Sequence, residues 1–125
     1  MKQEYGRIRP YVTKDGSVIR ELIHPDQGVE TALSLAEATV LPGKATLLHL
    51  HRLSTEVYHV VRGKGRMLFG GETFDLTPGD TVLIRPGTPH RVHNTGGEAL
   101  VILCCCSPAY AHEDTALEDE QGGGA

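Results

Sequence analysis

Residues 43–63 read GKATLLHLHRLSTEVYHVVRG, and this segment holds the clearest structural signal in the chain. Successive side chains of a β-strand point to opposite faces, so His49 and His51 lie on one face of a short strand. Residues 52–55 lack apolar alternation and predict a turn, after which Glu56 begins a returning antiparallel strand. We therefore expect two imidazoles and one carboxylate to lie close together.

A second segment, 79–94, supplies a third imidazole. It contains Gly79-Asp80 and then Pro86-Gly87-Thr88-Pro89-His90, a turn-rich stretch that is followed by a predicted strand. Closure of a β-barrel would bring His90 to the same place as the other three side chains. Three neutral imidazoles and one carboxylate suit Fe, Mn, Ni, Zn or Co and leave coordination positions open. The sequence therefore predicts one divalent metal ion, with four ligands: His49, His51, Glu56 and His90.

Both segments resemble the paired motifs of the cupin family. Residues 43–63 carry Gly, five residues, His-x-His, four residues, Glu, six residues and Gly at every fixed position. The second segment has Gly79, Gly87, His90 and Asn94 in place, but Arg85 stands where cupins usually have proline. The resemblance implies an all-β fold, a double-stranded β-helix or jelly-roll-like barrel that holds the metal through the same four ligands. The chain looks most like the short single-domain cupins labelled phosphomannose isomerase-like.

The composition agrees with one β-rich domain. The 125 residues include 15 glycines, seven prolines, two phenylalanines and no tryptophan, which favours a turn-rich β architecture. The predicted strands include residues 17–23, 33–41 and 99–106. The stretch 33–41 also has a helix-compatible composition, but its place directly before the first motif favours a strand. We predict a single cupin domain over residues 1–115 and an acidic, Gly-rich flexible tail over residues 116–125.

Charge and hydropathy exclude two classes of partner. Every Lys and Arg lies before His112, in a region with 12 basic and 11 acidic residues, and the other five acidic residues follow it. This distribution offers no basic patch for nucleic acid, and no apolar run is long enough to span a membrane. The first six residues lack the apolar stretch of a signal peptide. We therefore predict no nucleic acid, no membrane and a cytoplasmic location.

Several further side chains are candidates for the cavity. Tyr58 shares the inward face of Glu56, where its phenol is either a catalytic proton donor or a core hydroxyl with its own partner. Arg85 is either a substrate-binding cation at the barrel mouth or a surface residue. Three apolar residues are predicted to line the substrate cavity: Met67, Phe69 and Val92.

Two other features remain open in the sequence. The segment Pro108–Thr115 mixes aromatic and polar residues and is a candidate lid across the barrel opening. Cys104, Cys105 and Cys106 are adjacent, so they cannot all reach one metal, and a reducing compartment leaves them as thiols. They are interpreted either as small buried residues of a central strand or, in part, as thiols that contribute to the cavity.

Two classes of function fit these predictions. The first is a small-molecule metalloenzyme: dioxygenase-like with Fe(II), or a Lewis-acid lyase or isomerase with Mn, Ni or Zn. The second is a non-catalytic cupin module that binds a small molecule or a metal. A divalent ion with one carboxylate ligand keeps a net charge near +1, which favours an anionic ligand. Isomerisation of sugar phosphates ranks lower, because Arg85 and Arg62 are the main candidates for holding a phosphate.

The sequence also predicts an assembly. The nearly continuous apolar run Ala99–Cys106 implies more covered surface than one small barrel provides. Single-domain cupins commonly pair through such strands, so the resemblance implies a homodimer.

Overall fold

The protein is built almost entirely of short β-strands. A computed structural model describes residues 1–118. Three 3-10 turns lie at Tyr5–Arg7, Pro25–Gln27 and His112–Asp114. The strands in chain order are β1 (Tyr11–Val12), β2 (Val18–Ile23), β3 (Ser34–Val40), β4 (His49–His51), β5 (Thr55–Arg62), β6 (Gly65–Phe69), β7 (Glu72–Leu76), β8 (Thr81–Ile84), β9 (His90–Asn94), β10 (Leu100–Ser107) and β11 (Thr115–Leu117).

These strands form two antiparallel sheets around a shared core. The six-stranded sheet has the order β1-β2-β3-β10-β5-β8, and the five-stranded sheet has the order β11-β4-β9-β6-β7. Both sheets contribute to the core, Ala36 and Val60 from the first and Met67, Leu76 and Val92 from the second. The predicted all-β double-stranded β-helix is therefore confirmed.

Burial along the strands has the period of two that a sheet with one covered face requires. Along β3, all four of Ser34, Ala36, Ala38 and Val40 are buried, while the residues between them are half-buried. This alternation excludes the helix that the composition of residues 33–41 allowed. Hydrophobic burial thus overrides the helix propensity of Ala and Glu in this strand.

The turn between β5 and β6 requires glycine for two reasons. Gly63, between β5 and β6, has a φ of +88°, in the left-handed region that favours glycine. A Cβ atom there would lie 2.6 Å from the carbonyl oxygen of Ala99 and 2.8 Å from the Cα of Leu100. The final glycine of the first motif is therefore fixed by the close approach of the β5–β6 turn to the start of β10.

The C-terminal strand covers the edge of the site. β11 pairs with β4 so that Thr115 lies opposite His51 and Leu117 opposite His49. It runs two residues past the predicted domain end at residue 115, because its backbone completes the five-stranded sheet. Residues 119–125 of the predicted tail lie outside the described residues. Within residues 1–118, no helix has the length and apolar character to cross a membrane.

Candidate metal centre

Three histidines of the five-stranded sheet converge in the interior. His49 and His51 come from β4 and His90 from β9, and His49 lies directly opposite His90 across the two strands. Their relative exposures are 2%, 5% and 0%. One ring nitrogen of each histidine can be chosen so that all three lie within 4.8 Å of one another. Nitrogens on opposite sides of one ion would be about 4.2 Å apart, so this spacing fits a single metal ion.

The rings are held so that the same nitrogen of each faces the interior. The Nδ1 atoms of His49 and His90 donate to the carbonyl oxygens of Leu47 and Thr88, at 2.7 and 2.8 Å. The Nδ1 atom of His51 lies 3.0 Å from Thr115 Oγ1. Because that hydroxyl donates to the carbonyl oxygen of Ala111, it accepts from His51. All three Nε2 atoms are left free for a ligand in the interior, the arrangement that metal-binding histidines adopt.

Glu56 reaches the same point from the opposite sheet. Its Oε1 atom lies 3.0 Å from His51 Nε2 and 3.6 Å from His90 Nε2. Its Oε2 atom accepts a hydrogen bond from the Cys106 thiol, with an Sγ–Oε2 distance of 3.2 Å. Glu56 and Cys106 are cross-strand neighbours on β5 and β10, which places both side chains on the inner face. The four residues predicted as ligands are therefore brought together.

Two buried polar atoms at this point make no hydrogen bond with the described residues. They are Glu56 Oε1 and His90 Nε2. A buried polar atom without a partner costs about 1–3 kcal/mol, and native structures rarely leave one. A divalent cation between the imidazoles and the carboxylate would satisfy both atoms at once. The donor set therefore fits a divalent metal ion.

The electrostatics of the cluster are those of a site that attracts positive charge. Burial by itself would raise the pKa of Glu56, but the nearby imidazoles of His51 and His90 hold that pKa well below its usual value. Burial, followed by the charge of His90, lowers the pKa of His49. Burial would also lower the pKa of His51, yet the proximity of Glu56 raises it. The carboxylate is thus ionised and ready to balance a cation.

Asp15 is a neighbour of the cluster that the sequence did not single out. Its Oδ2 atom lies 3.4 Å from His49 Nε2. Its Oδ1 atom accepts from the Thr13 hydroxyl at 2.7 Å and from the backbone N–H and hydroxyl of Ser17 at 2.9 and 2.7 Å. The sequence indicated only a turn at Asp15-Gly16. Extending the inward alternation of Ile19 and Ser17 backward by two residues would have pointed to Asp15.

The cluster lines one wall of a cavity between the sheets. The free interior measures about 50 Å³, which admits a few water molecules or a ligand of a few heavy atoms. Tyr58 and Val92, both predicted to face it, do line the cavity. Tyr58 is 5% exposed, its ring centroid is 5.7 Å from that of His90, and its hydroxyl makes no hydrogen bond with any described residue.

Three other predicted substrate contacts lie elsewhere. Met67 is fully buried and Phe69 is half-buried, and both belong to β6. In the five-stranded sheet β9 lies between β6 and β4, and neither residue lines the cavity. Arg85 directly follows β8, is exposed and does not line the cavity. Phe69 lies opposite His90 across β6 and β9, so it is one strand away from a proposed ligand without lining the cavity.

The cavity opens into a surface groove of about 580 Å³. Tyr11, Thr13, Glu21 and Tyr110 line both spaces and so mark the passage between them. The Tyr110 ring stands edge-on to the His51 ring, with centroids 5.9 Å apart. The segment predicted as a lid thus lies at the mouth of the cavity.

The fold and the sequence together identify the family. The sequence profile of the cupin domain matches residues 36–106, more than half of the chain. The chain belongs to the cupin family. The match begins in β3 and ends in β10, so it contains both strands that supply the histidines and the strand that supplies Glu56.

Related sequences place this cupin near proteins of different descriptions. It is 50% identical over 117 residues to an uncharacterized protein of Methanocaldococcus jannaschii, a match that covers 94% of each chain. It is 34% identical over 106 residues to glucose-6-phosphate isomerase of Thermococcus gammatolerans, covering 74% of this cupin and 56% of that protein. This cupin therefore spans only about half the length of the isomerase.

Solved structures share the fold at low sequence identity. Oxalate decarboxylase of Lactobacillus farciminis, in its formate complex, has a TM-score of 0.78 and 21% identity, over 96% of this cupin and 36% of that chain. A predicted oxalate decarboxylase of Thermotoga maritima has a TM-score of 0.75 and 23% identity, over 86% of this cupin and 99% of that chain. At these identities the similarity establishes the fold alone.

Proposed function

We propose that this cupin binds one divalent metal ion through His49, His51, Glu56 and His90 and acts as a small-molecule metalloenzyme. The observation that carries the proposal is the pair of buried, unpartnered atoms Glu56 Oε1 and His90 Nε2 inside a cluster whose three Nε2 atoms face inward. Fe, Mn, Ni and Zn are the candidate metals. A bound divalent ion would supply Lewis acidity or, with iron, redox chemistry.

The cavity supports an enzyme over a binding module. A module that only stores a ligand has no need of acid–base groups beside the ion, whereas this cavity contains Asp15 and the hydroxyl of Tyr58. Asp15 Oδ2 faces His49, and Tyr58 presents a phenol with no partner among the described residues. Burial raises the pKa of Tyr58 well above 10, so the phenol keeps its proton and is able to donate a hydrogen bond.

We favour oxygenase or lyase chemistry over sugar-phosphate isomerisation. A relative described as a glucose-6-phosphate isomerase supports an enzyme without assigning a reaction to this chain. Arg85 is exposed and does not line the cavity, so it is not placed to hold a phosphate group there. The alternative, a non-catalytic binding cupin, predicts metal binding without turnover of any substrate.

Metal analysis of the purified protein tests the proposal. We expect one divalent ion per chain and expect His51→Ala to lose it, because that substitution removes one of the four proposed ligands. His59→Ala, at an exposed position on β5, is the matched control and should keep a full equivalent. A full equivalent of metal in His51→Ala would contradict the ligand assignment.

Turnover separates the two functions. Fe(II)-reconstituted and Mn-, Ni- or Zn-loaded samples would be assayed for oxygen uptake and substrate loss with small hydroxy compounds, amines, carboxylates and thiols. Substrate-dependent uptake with Fe would identify an oxygenase, and substrate loss without uptake a lyase or isomerase. Stoichiometric metal with no turnover across the panel would favour the binding module.

The location and assembly are proposed on separate grounds. Cys104, Cys105 and Cys106 are free thiols, which supports a reducing cytoplasmic compartment; cell fractionation would test this. The outer face of the six-stranded sheet carries apolar side chains, which supports a homodimer. We also propose the domain limits of 1–115 with a tail from 116. The strand β11 (Thr115–Leu117) crosses that boundary.

A further inference from the structure

The cavity contains more negative charge than the metal ligands alone. Among the described residues that line it, three are acidic, Asp15, Glu21 and Glu56, and none is Lys or Arg. The net charge near +1 that favours an anionic ligand was obtained by counting the divalent ion and a single carboxylate, that of Glu56. The structure adds two carboxylates on β2 and the turn before it, and these reverse the expected charge of the ligand.

Glu21 stands where the cavity meets the groove. Its Oε2 atom accepts a hydrogen bond from the Tyr11 hydroxyl at 2.8 Å. Its Oε1 atom is buried and makes no hydrogen bond with any described residue. An acceptor in that state at the entrance to a cavity is available to a ligand that donates a hydrogen bond.

Asp15 presents a second acceptor deeper in the cavity. Three donors from Thr13 and Ser17 hold its Oδ1 atom, which fixes the carboxylate plane and leaves Oδ2 toward the interior beside His49. Asp15 therefore adds a carboxylate beside His49, one of the proposed metal ligands.

The approach to the cavity is acidic as well. The groove is lined by Glu21, Asp26 and Glu113, and Lys14 is the one Lys or Arg that the described residues contribute to it. The Lys14 ammonium is bound by backbone, 2.8 Å from the carbonyl oxygen of Thr115 and 3.5 Å from that of His112. The three carboxylates of the described lining outnumber this one ammonium, which its backbone contacts hold in place, so the groove has a net negative charge.

The formal charges of a divalent ion and the carboxylates around it sum to zero or less. An ion with Glu56 alone would keep a net charge near +1; Asp15 cancels it, and Glu21 adds a further negative charge at the entrance. We propose that the ligand of this site is a small molecule that carries no negative charge and donates hydrogen bonds to Asp15 and Glu21, a protonated amine or a hydroxyl compound. The inference rests on the proposed function, since it concerns the same metal-binding cavity.

This ligand class differs from that of the structural neighbours described as oxalate decarboxylases. A dianion entering the cavity would approach Asp15 and Glu21, and no Lys or Arg is among the described residues that line the cavity. In a partly buried site such like-charge contacts are strongly unfavourable. An ammonium or hydroxyl group would instead satisfy the free Oε1 of Glu21.

The test compares two probes on cobalt-loaded protein. Oxalate and ethanolamine, which is cationic at neutral pH, are titrated against wild type, Glu21→Gln and Asp26→Asn, with binding followed through the cobalt absorption and by calorimetry. Glu21→Gln keeps the shape and the Tyr11 contact but removes a charge, while Asp26→Asn removes the same charge from an exposed position in the groove. Each probe is compared across variants that all hold the same cobalt ion. The different strengths with which oxalate and ethanolamine chelate cobalt therefore do not affect the result.

We expect Glu21→Gln to bind oxalate about ten-fold more tightly and ethanolamine about ten-fold more weakly than wild type, with less than a two-fold change in Asp26→Asn. Asp15→Asn should likewise increase the affinity for oxalate and decrease the affinity for ethanolamine. Oxalate affinity that is unchanged or lower in Glu21→Gln overturns the proposal. Cobalt stoichiometry is measured first on the same samples: protein that binds no cobalt contradicts the metal site itself, whereas bound cobalt with the wrong probe response contradicts only the ligand class.

Discussion

Each proposed metal ligand is oriented by a hydrogen-bonding partner on its far side or beside it. The carbonyl oxygens of Leu47 and Thr88 and the hydroxyl of Thr115 receive the three Nδ1–H groups. Cys106 does the same for Glu56, since its thiol occupies Oε2 and leaves Oε1 toward the cluster. Burial, together with the charge of Glu56, raises the pKa of the Cys106 thiol, so it stays protonated and remains a donor.

At this scale we predict that Cys106→Ala weakens metal binding by roughly ten-fold, the loss typical for removal of a group that orients a ligand. Cys106→Ser keeps an oxygen donor on the same carbon and should stay within about three-fold of wild type. A competition titration with a chromogenic chelator measures both. Equal affinities for Cys106→Ala and wild type would show that the thiol only fills space.

The element that most affects the site from outside both family motifs is β11. It pairs with β4 along His49-Leu50-His51 and supplies Thr115, which is 2% exposed and holds His51. It also supplies the carbonyl oxygen that binds Lys14 from the β1–β2 turn, the same turn that carries Asp15. One three-residue strand thus fixes a proposed ligand and an adjacent turn.

A chain that ends after Asp114 removes this strand. We expect its melting temperature to fall by roughly 5 °C or more and its metal affinity to fall with it, because β4 loses one of its two neighbouring strands and His51 loses its acceptor. A chain that ends after Glu118 keeps β11 and is the control; it should match the full chain if the predicted flexible tail is correct. Thermal melts and metal titrations on both chains provide the comparison, and an unchanged melting temperature after Asp114 would exclude this role for β11.

On the scale of the whole molecule, the two sheets enclose one cavity and leave one apolar outer face. The metal cluster joins the sheets, because Glu56 belongs to one and the three histidines to the other. A cross-strand row on the outer face of the six-stranded sheet consists of Ile23, Leu35, Cys105, Val57 and Leu83. Leu83 is 48% exposed, and the others are half-buried in the single chain.

Metal removal should destabilise the molecule, because a ligand that binds only the folded state stabilises it. With the metal at about 100 times its dissociation constant the stabilisation is about 2.7 kcal/mol, which corresponds to roughly 10 °C in melting temperature for a domain of this size. Calorimetry before and after EDTA treatment measures the shift. His51→Ala should show no EDTA effect, and a similar EDTA effect in that variant would locate the metal elsewhere.

The apolar row predicts self-association. We expect the protein to sediment as a dimer at micromolar concentration and Val57→Glu to be monomeric, because the substitution places a charge in the middle of the covered row. Thr73→Glu, at an exposed position on β7 of the other sheet, is the control and should remain a dimer. Sedimentation of the wild type as a monomer would rule out the homodimer.

The residue pattern alone predicts the strands of the two family motifs and the faces of their side chains, because a period of two in a strand fixes which residues share a face. It does not predict β11, most of which falls in the segment expected to be a flexible tail. Residue order alone therefore placed His49, His51, Glu56 and Tyr58 on the inner side. The glycine turns, such as the one at Gly63, were also predictable from the sequence, because glycine is the residue that most readily adopts a positive φ.

The pairing of distant segments is a property of the folded molecule. Asp15 and Glu21 from the N-terminal strands, Cys106 from β10 and Thr115 from β11 all reach the cluster or its entrance, although none belongs to the spacing that identified the ligands. Met67 and Phe69 were predicted to line the cavity, but they lie on β6, beyond β9; Arg85, left open between a barrel-mouth cation and a surface residue, is exposed. Periodicity acts within one strand, whereas the charge and shape of the cavity depend on the order in which strands pair across the two sheets, and no local pattern specifies that order.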